Sequence, residues 1–581
     1  MNFYDIGDYM SKKKYLKNNY IYILILMIFS ILMILPFFIP NKMAVQYDWS
    51  FHASRAQQLY LNIRRGHLFT FLATDTFSKV GNANFLFYPS VFLYPWAILR
   101  LFLKPIEAYL IYVWLQMLAT MIIAYFCMYK YSNKNCNASL IFAIIYTIVP
   151  YHLHLTLTDY VIGEGLAYMF IPIVLLGLYL LLTGQGWKTL SVGIALEFYC
   201  HIVDTVISIE ICFAVFILWL LFNRTLNSKV FFDLLKSLLL FLLLTLWQIV
   251  PFITDYVHKG LAKPTFGIFQ LLNPGDYIIQ CLNNVPMSGN GGLGIILLMT
   301  VLFGWKWCRK GTADFYVYLI GLVLSLIITS LFPWKYLTHT PLAVIQFPYR
   351  YTSFAVCLLS VIAALGCIKC IQILKDHQMI AISIVVLSLF TVYAGESYPS
   401  VVRNNNSEHN IYVLKHSRKG KYRILSPKEK NPLVIIDNKT YNKQFSYGAQ
   451  FGETDYLPLP SLSNANSVLN RRAYLNGARI PFSQSVSANK LNYKVNIPRN
   501  GRLDLPSVMY NRSTLTVNGQ RTNIIESRRG TISVFLKKGK YQITVGYKPL
   551  IAYYLLLLVS VVTWISLLFE KCQMWLKNAT D

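Results

Sequence analysis

The segment Tyr47-Asp48-Trp49-Ser50-Phe51-His52 sets a carboxylate and an imidazole four residues apart, and Arg55 continues the same helical face. Partial burial among aromatic side chains raises the basicity of a carboxylate toward the working pH, which suits Asp48 to taking a proton from a hydroxyl acceptor. The plain alternative is a helix on the membrane surface whose polar residues face water. Further on, Tyr151-His152-Leu153-His154 precedes Asp159, and Glu164 follows inside an apolar run. A carboxylate in such a run is expensive, so Glu164 is a site candidate. Glu197, His201 and Asp204 stand at i, i+4 and i+7, which predicts one helical stripe that either serves a site or ties the bundle together. In Ile345-Gln346-Phe347-Pro348-Tyr349-Arg350-Tyr351, Arg350 stands at the mouth of a span. Its guanidinium could hold a phosphate by paired hydrogen bonds, or it could snorkel to the headgroup level. His152 and His154 would need a further ligand to bind zinc, and their spacing alone is weak evidence for it.

The elements that must position these groups lie in a membrane. Of 581 residues, 55% are apolar and 13% charged, with a mean hydropathy of +0.45, which excludes an ordinary soluble domain. Lys12, Lys13, Lys14 and Lys17 precede a first apolar run that ends near Pro40 with no cleavage signal, so it reads as a retained span with a cytoplasmic start. Further runs at 106–129, 137–151, 160–182, 188–203, 204–222, 230–252, 291–308, 313–332, 350–369, 379–395 and 549–569 bring the expectation to about twelve spans. Lys130, Lys188, Arg224, Arg309, Lys369 and Lys571 then share one side, which the positive-inside rule makes cytoplasmic. The large loop 41–105, broken by Tyr88-Pro89 and Tyr94-Pro95, falls on the other side, as an interfacial rather than a spanning segment.

The chain therefore divides into a helical core over 1–400, a polar external domain over 401–548, and a final span with a cytoplasmic tail over 549–581. Both termini are placed in the cytoplasm. In 401–548, 25 basic residues face 7 acidic ones, a surplus of +18. Runs such as Ser513-Thr514-Leu515-Thr516-Val517, Ile532-Ser533-Val534-Phe535-Leu536 and Tyr541-Gln542-Ile543-Thr544-Val545, with turns at Asn518-Gly519 and Lys538-Gly539-Lys540, predict a β-sandwich. None of the ten cysteines lies in this domain, so its own core must hold it. Its basic surface suits an anionic neighbour, such as lipid headgroups or a phosphate-rich wall polymer, or is simply well solvated. Cys367 and Cys370 form a lone C-x-x-C that reads as packing. No Walker loop and no dinucleotide fingerprint is present, so an activated group must come from a donor already in the membrane.

Asp48 with His52, then Phe87-Tyr88-Pro89, Asp159 with Gly163-Glu164, His201, and Gln346-Phe347-Pro348-Tyr349-Arg350 together resemble the YfhO-like bacterial membrane proteins. These overlap a group labelled 6-pyruvoyl-tetrahydropterin-synthase-related membrane proteins. The ending Leu515-Thr516-Val517-Asn518-Gly519, then Lys538-Gly539-Lys540-Tyr541-Gln542-Ile543-Thr544-Val545 and a last span, is similar as well. The resemblance implies the GT-C glycosyltransferase fold, with the catalytic Asp on the first external loop and a polyprenyl-phosphate sugar as donor. Carried over, Asp48 would be the base, with Asp159, Glu164 and His201 lining the site and Arg350 near the lipid phosphate. His52 joins them as a substrate-binding candidate. The acceptor would be a hydroxyl of an anionic envelope polymer, teichoic-acid-like, or of a glycolipid; nucleic acid is not expected. No organic cofactor is implied, and a divalent cation is left open because the second loop carries no D-x-D or D-x-E. The rival readings are a flippase for lipid-linked glycans and a non-catalytic scaffold for wall polymer.

Overall fold

The computed structural model describes residues 3–223, 228–257, 259–262, 267–286, 292–406, 434–445 and 452–580. Among them, eight helices are long and apolar enough to cross a bilayer: Asn19–Phe38, Pro105–Tyr131, Ile162–Leu182, Ile202–Phe222, Ser228–Tyr256, Pro348–Gln372, Gln378–Asn405 and Ile551–Gln573. The pair Cys136–Ile148 and Pro150–Thr158, bent by 49°, makes a ninth if counted as one span. The bend falls at Pro150, whose ring cannot continue the hydrogen-bond ladder. Every apolar run read from the sequence is helical, but Lys188–Phe198, Ile295–Trp307 and Ala313–Ile327 are shorter than a full crossing. The chain is a multi-pass membrane protein.

Leu, Ile, Ala and large aromatic side chains fill the bundle interior, and further Ile, Leu and Phe side chains coat its outer face. Some polar groups within it are paired with one another. Tyr146 and Tyr168 stack at 4.3 Å, and each hydroxyl donates to the other's carbonyl at 2.6 Å. Within the loop 41–105 no helix is long and apolar enough to cross a bilayer. It holds the helix Trp49–Arg64, largely buried, and four short turns of helix, Phe77–Lys79, Asn84–Phe87, Val91–Leu93 and Tyr94–Leu99.

One pairing was invisible in the sequence. Strand β1 (Lys42–Val45) pairs antiparallel with β2 (Val434–Asp437), so the polar stretch begins by returning to the first loop. Asn404 Oδ1 accepts from Ala44 N at 3.0 Å and fastens this ribbon to the end of the helix Gln378–Asn406.

The sandwich proper runs from 473 to 547. Its strands are β3 (Ala473–Leu475), β4 (Ala478–Ile480), β5 (Phe482–Ser487), β6 (Lys490–Ile497), β7 (Gly501–Val508), β8 (Ser513–Val517), β9 (Gln520–Arg521), β10 (Ile525–Glu526), β11 (Thr531–Leu536) and β12 (Gly539–Tyr547). They form two antiparallel five-stranded sheets, ordered β10-β11-β7-β3-β4 and β5-β6-β12-β8-β9. Alternation along β6 turns Leu491, Tyr493, Val495 and Ile497 inward against Leu503, Val534 and Ile543. The expected hairpin at Asn518-Gly519 is present, with φ of 51° and 83°, the left-handed pair that a two-residue turn requires. All ten cysteines are free, and none is in the sandwich.

The sandwich docks on the first loop. Asn489 Oδ1 accepts from Phe71 N at 2.7 Å and from Leu72 N at 3.1 Å, while its Nδ2 donates to Phe69 O at 2.7 Å. On the helical side, Tyr547 donates to Asp255 at 2.7 Å, and Lys259 pairs with Glu526 at 2.8 Å.

Candidate active site

Asp48 is the residue that begins the helix Trp49–Arg64, but its side chain caps no amide there. No donor among the described residues reaches its carboxylate. Burial pushes its pKa from 3.8 to about 6, against the pull of Arg350 and then His201, whose charges lie within reach. A carboxyl poised there is ionised and still basic near neutrality, the balance a general base needs.

Arg350 enters from the far end of the sequence. It lies in the turn Pro348–Tyr351, just past Gln346, and donates to Ile345 O at 2.7 Å and to Gln346 Oε1 at 3.2 Å. Its Nε lies 3.4 Å from Glu164 Oε2, and Glu164 also accepts a short hydrogen bond from Tyr151. Glu164 therefore sits inside the bundle at tolerable cost, because a guanidinium and a phenol share its charge.

The stripe Glu197, His201, Asp204 is not one helix. The chain breaks after Phe198, leaves His201 in the break, and restarts at Ile202. His201 Nδ1 then lies 3.0 Å from Asp204 Oδ2, in the first turn of the next helix, while Glu197 remains behind, fully buried. The turn expected between the runs 188–203 and 204–222 thus falls a few residues earlier, at 199–201, which takes Glu197 off the stripe.

Tyr88 ties the cluster together. Its ring stands 5.6 Å from the His52 ring and 5.9 Å from that of His201, and the Arg55 guanidinium sits 4.7 Å above it. Arg55 also donates to the carbonyls of Tyr88 and Pro89, at 2.8 and 2.7 Å. The Tyr88 hydroxyl reaches Gly163, where no Cβ could fit, which explains a glycine directly before Glu164. Burial lowers the His52 pKa well below the ordinary imidazole value, helped by Arg55, so His52 is neutral near pH 7. Burial brings that of Arg55 down to about 10.

The structure thus brings together Asp48, Glu164, His201 and Arg350, with His52 joined through Tyr88. Asp159 stands at the edge: it accepts from Gln46 Nε2 at 3.2 Å and lies 3.7 Å from His154 Nε2. Tyr349 is within electrostatic reach of Arg350, Glu164, Asp48 and Asp159. His152 turns away, stacked on Tyr168 at 4.4 Å with Nδ1 2.7 Å from Thr147 O, so it and His154 do not share a ligand site. Among the described residues, no three His, Cys, Asp or Glu side chains converge as a metal centre would require.

Positive backbone φ at residues with side chains marks the same place. Tyr47 (48°) precedes Asp48, Tyr160 (58°) follows Asp159, Gln346 (63°) leads to Arg350, and Tyr456 (62°) follows Asp455. Such conformations cost on the order of 1–2 kcal/mol each and persist where the surroundings enforce them. Comparison with models of known protein families and with curated protein sequences finds no match to this chain.

Proposed function

We propose that this protein is a membrane glycosyltransferase that moves a sugar from a polyprenyl-phosphate donor to a hydroxyl of an extracellular envelope acceptor, an anionic teichoic-acid-like polymer or a glycolipid. The observation that carries the reading is the placement of the Asp48 carboxylate, which no donor among the described residues reaches, in the field of Arg350 and His201. Asp48 takes the proton of the acceptor hydroxyl as its oxygen bonds to the anomeric carbon. The sugar–phosphate bond breaks with its electron pair going to the lipid phosphate, and Arg350 stabilises the charge that gathers there. His201, held by Asp204, and Glu164, held by Arg350 and Tyr151, line the remaining wall.

Two further features support this reading. An apolar cavity of about 450 Å³ lies between the first loop and the helices Ser228–Pro251 and Ile551–Thr580, walled by Phe85, Val91, Trp247, Leu557 and Trp564. It begins beside the Tyr88-Pro89 corner and suits an isoprenoid chain. The basic residues of 401–548 suit a polyanionic acceptor. In this reading the short apolar helices belong to the twelve-run topology, with both termini in the bacterial cytoplasm and the sandwich outside the cell membrane.

The test is transfer of labelled sugar in membranes containing the unaltered protein or Asp48→Asn. Transfer that is unchanged by the substitution removes the catalytic reading and leaves a flippase or a scaffold. Mass spectra of the wall glycopolymers with and without the protein identify sugar and acceptor.

A further inference from the structure

The two sheets of the sandwich treat their outward charges differently. On the sheet β10-β11-β7-β3-β4, Arg529 pairs with Asp504 and Glu526 with Lys259, each at 2.8 Å. Arg502 of the same sheet donates to Ser533 Oγ at 2.9 Å and to Glu526 O at 2.8 Å. Ile525 and Phe535, the exposed large apolar side chains of the sandwich, also belong to it.

On the sheet β5-β6-β12-β8-β9, the alternation that turns Leu491, Tyr493 and Val495 inward turns Lys490, Asn492, Lys494 and Asn496 outward. The partner strand β12 sends Lys540 and Gln542 to the same face. Strands β5 and β8 add only Ser and Thr hydroxyls, and β9 adds Arg521. No Asp or Glu occurs in any of these five strands. The register makes a checkerboard: Lys494 stands opposite Gln542, and Asn496 opposite Lys540. Cation and amide therefore alternate about every 6.8 Å along each strand and about 4.8 Å across the pair. Among the described residues, no ion pair or hydrogen bond engages these four side chains, and they line a shallow hollow of about 650 Å³. Asn518, which also lines it, is already bonded to Gln542 N at 2.9 Å.

Lysine on an edge strand guards against pairing with another chain, but β6 and β12 are interior strands with both sides paired. Opposite charges across two strands stabilise a sheet, and the other sheet uses acid–base pairs freely. A face of cations and amides without an acid forgoes that stability and leaves its donors for a ligand.

We propose that this face of the sandwich is a docking surface for a phosphodiester-linked polyol chain, with Lys494 and Lys540 on its phosphates and Asn496 and Gln542 on its hydroxyls. The proposal deepens the acceptor reading above, and rests on it for the role of the polymer in transfer, by naming the surface that holds that polymer. A lysine meets phosphate as a compact charge with three donors, and a side-chain amide both donates to and accepts from a hydroxyl. A chain in which phosphodiesters alternate with hydroxyl-bearing carbons carries the complementary series. A face that enters lipid places apolar groups beside its cations, and here Ile525 and Phe535 are on the other sheet, so the occupant is the polymer.

The experiment uses the full-length protein in phosphatidylcholine nanodiscs, with binding of a fluorescent glycerol-phosphate oligomer measured at physiological salt and without sugar donor. We expect Lys494→Gln with Lys540→Gln to weaken binding by about tenfold or more, and Asn496→Ala with Gln542→Ala by about threefold or more. Arg479→Gln with Arg528→Gln makes the same change of charge on β4 and in the β10–β11 turn, and should alter binding by less than about twofold. Inorganic polyphosphate, which has no hydroxyl-bearing carbons, should respond to the lysine pair and not to the amide pair. Thermal unfolding checks that each variant is folded. Equal weakening by the lysine and arginine pairs would mean that net charge alone binds the oligomer, and overturns the proposal. So does failure of the unaltered protein to bind the oligomer, or a lysine pair needed for phosphatidylglycerol vesicles but not for the oligomer. Absence of transfer with the expected binding pattern removes the transferase and leaves the docking face. Transfer by a protein whose oligomer binding ignores all four residues does the reverse.

Discussion

Two aspartates show how differently the halves of this molecule treat the same side chain. Asp504, on β7 of the sandwich, is saturated: Arg529 grips it through Nε at 2.9 Å and Nη2 at 2.8 Å, and Thr531 donates to it at 2.5 Å. Arg529 is then held by Ser467 and by the Arg472 carbonyl. Asp48, at the membrane site, receives no donor among the described residues and is left basic. The sandwich uses its charge to fix structure, and the site keeps its charge available. A group optimised for stability has no lone pair left for substrate, so the unsatisfied acid is the one to test for function.

The largest separation between the two comes from replacing each by its amide. Asp48→Asn should reduce sugar transfer by about 10²–10⁴-fold, the usual contribution of a general base, while the protein folds and inserts normally. Asp504→Asn should leave turnover per folded molecule unchanged but destabilise the sandwich by about 2 kcal/mol, since it strands much of the buried Arg529 charge. Thermal unfolding of the purified full-length variants, read beside transfer, separates these outcomes. Loss of transfer in both variants at equal folded fraction would erase the distinction.

The pH dependence of stability sharpens the comparison. A carboxyl whose folded pKa lies above its unfolded value binds its proton more tightly when folded, so ionisation works against the fold. The penalty from Asp48 is present above pH 6 and disappears as pH falls below the unfolded value near 4. Asp48→Asn should therefore stabilise the protein by about 1–2 kcal/mol at pH 7.5, allowing for the solvent contact of this half-buried group, and give no gain at pH 4. Thermal midpoints at the two pH values decide it. Stabilisation with loss of activity is the signature of a functional acid, which a structural one like Asp504 does not give.

Between these extremes stands Gly163, which touches chemistry only through Tyr88. Gly163→Ala pushes the Tyr88 hydroxyl out of its place and, through the ring, shifts the surroundings of His52 and His201. We expect a cost of about 1–2 kcal/mol in stability and a fall in transfer of about tenfold or more. Transfer that tracks the folded fraction alone would show that Tyr88 is only packing.

The sequence showed the sandwich and the membrane more fully than it showed the site. Alternating runs and the Asn518-Gly519 signal placed β8, β11 and β12, because strand periodicity and turn chemistry are local properties. Asp48, Glu164 and Arg350 were legible for a similar reason: a charged residue beside an apolar run stands out at once. That Arg350 would pair with Glu164, nearly two hundred residues earlier, is set by the bundle and leaves no trace in spacing. The Glu197–Asp204 stripe misled because the break between the two runs was placed a few residues too late, and without Gly or Pro its position is not marked. β2 was missed because a four-residue strand acquires its identity only from β1.

The smallest expected effect lies in the β8–β9 turn of the sandwich. Asn518 holds the β8–β9 turn with φ of 51°, donates its amide to Gln542 O at 2.8 Å and accepts from Gln542 N through its side chain at 2.9 Å. Asn518→Ala keeps the backbone bond, loses the side-chain one and puts alanine, which tolerates the left-handed region less well than asparagine, at that angle, which together cost about 1–2 kcal/mol. Asn518→Gly also loses the side-chain bond but tolerates the angle, so its cost should be about 1 kcal/mol or less. Thermal unfolding of the two variants should therefore order alanine below glycine, with transfer rates equal to that of the unaltered protein at temperatures where all three are folded. A turn variant that slowed transfer would mean that strain passes from β12 through Tyr547 and Asp255 into the bundle. In that event the sandwich and the site could no longer be treated as regions with separate duties.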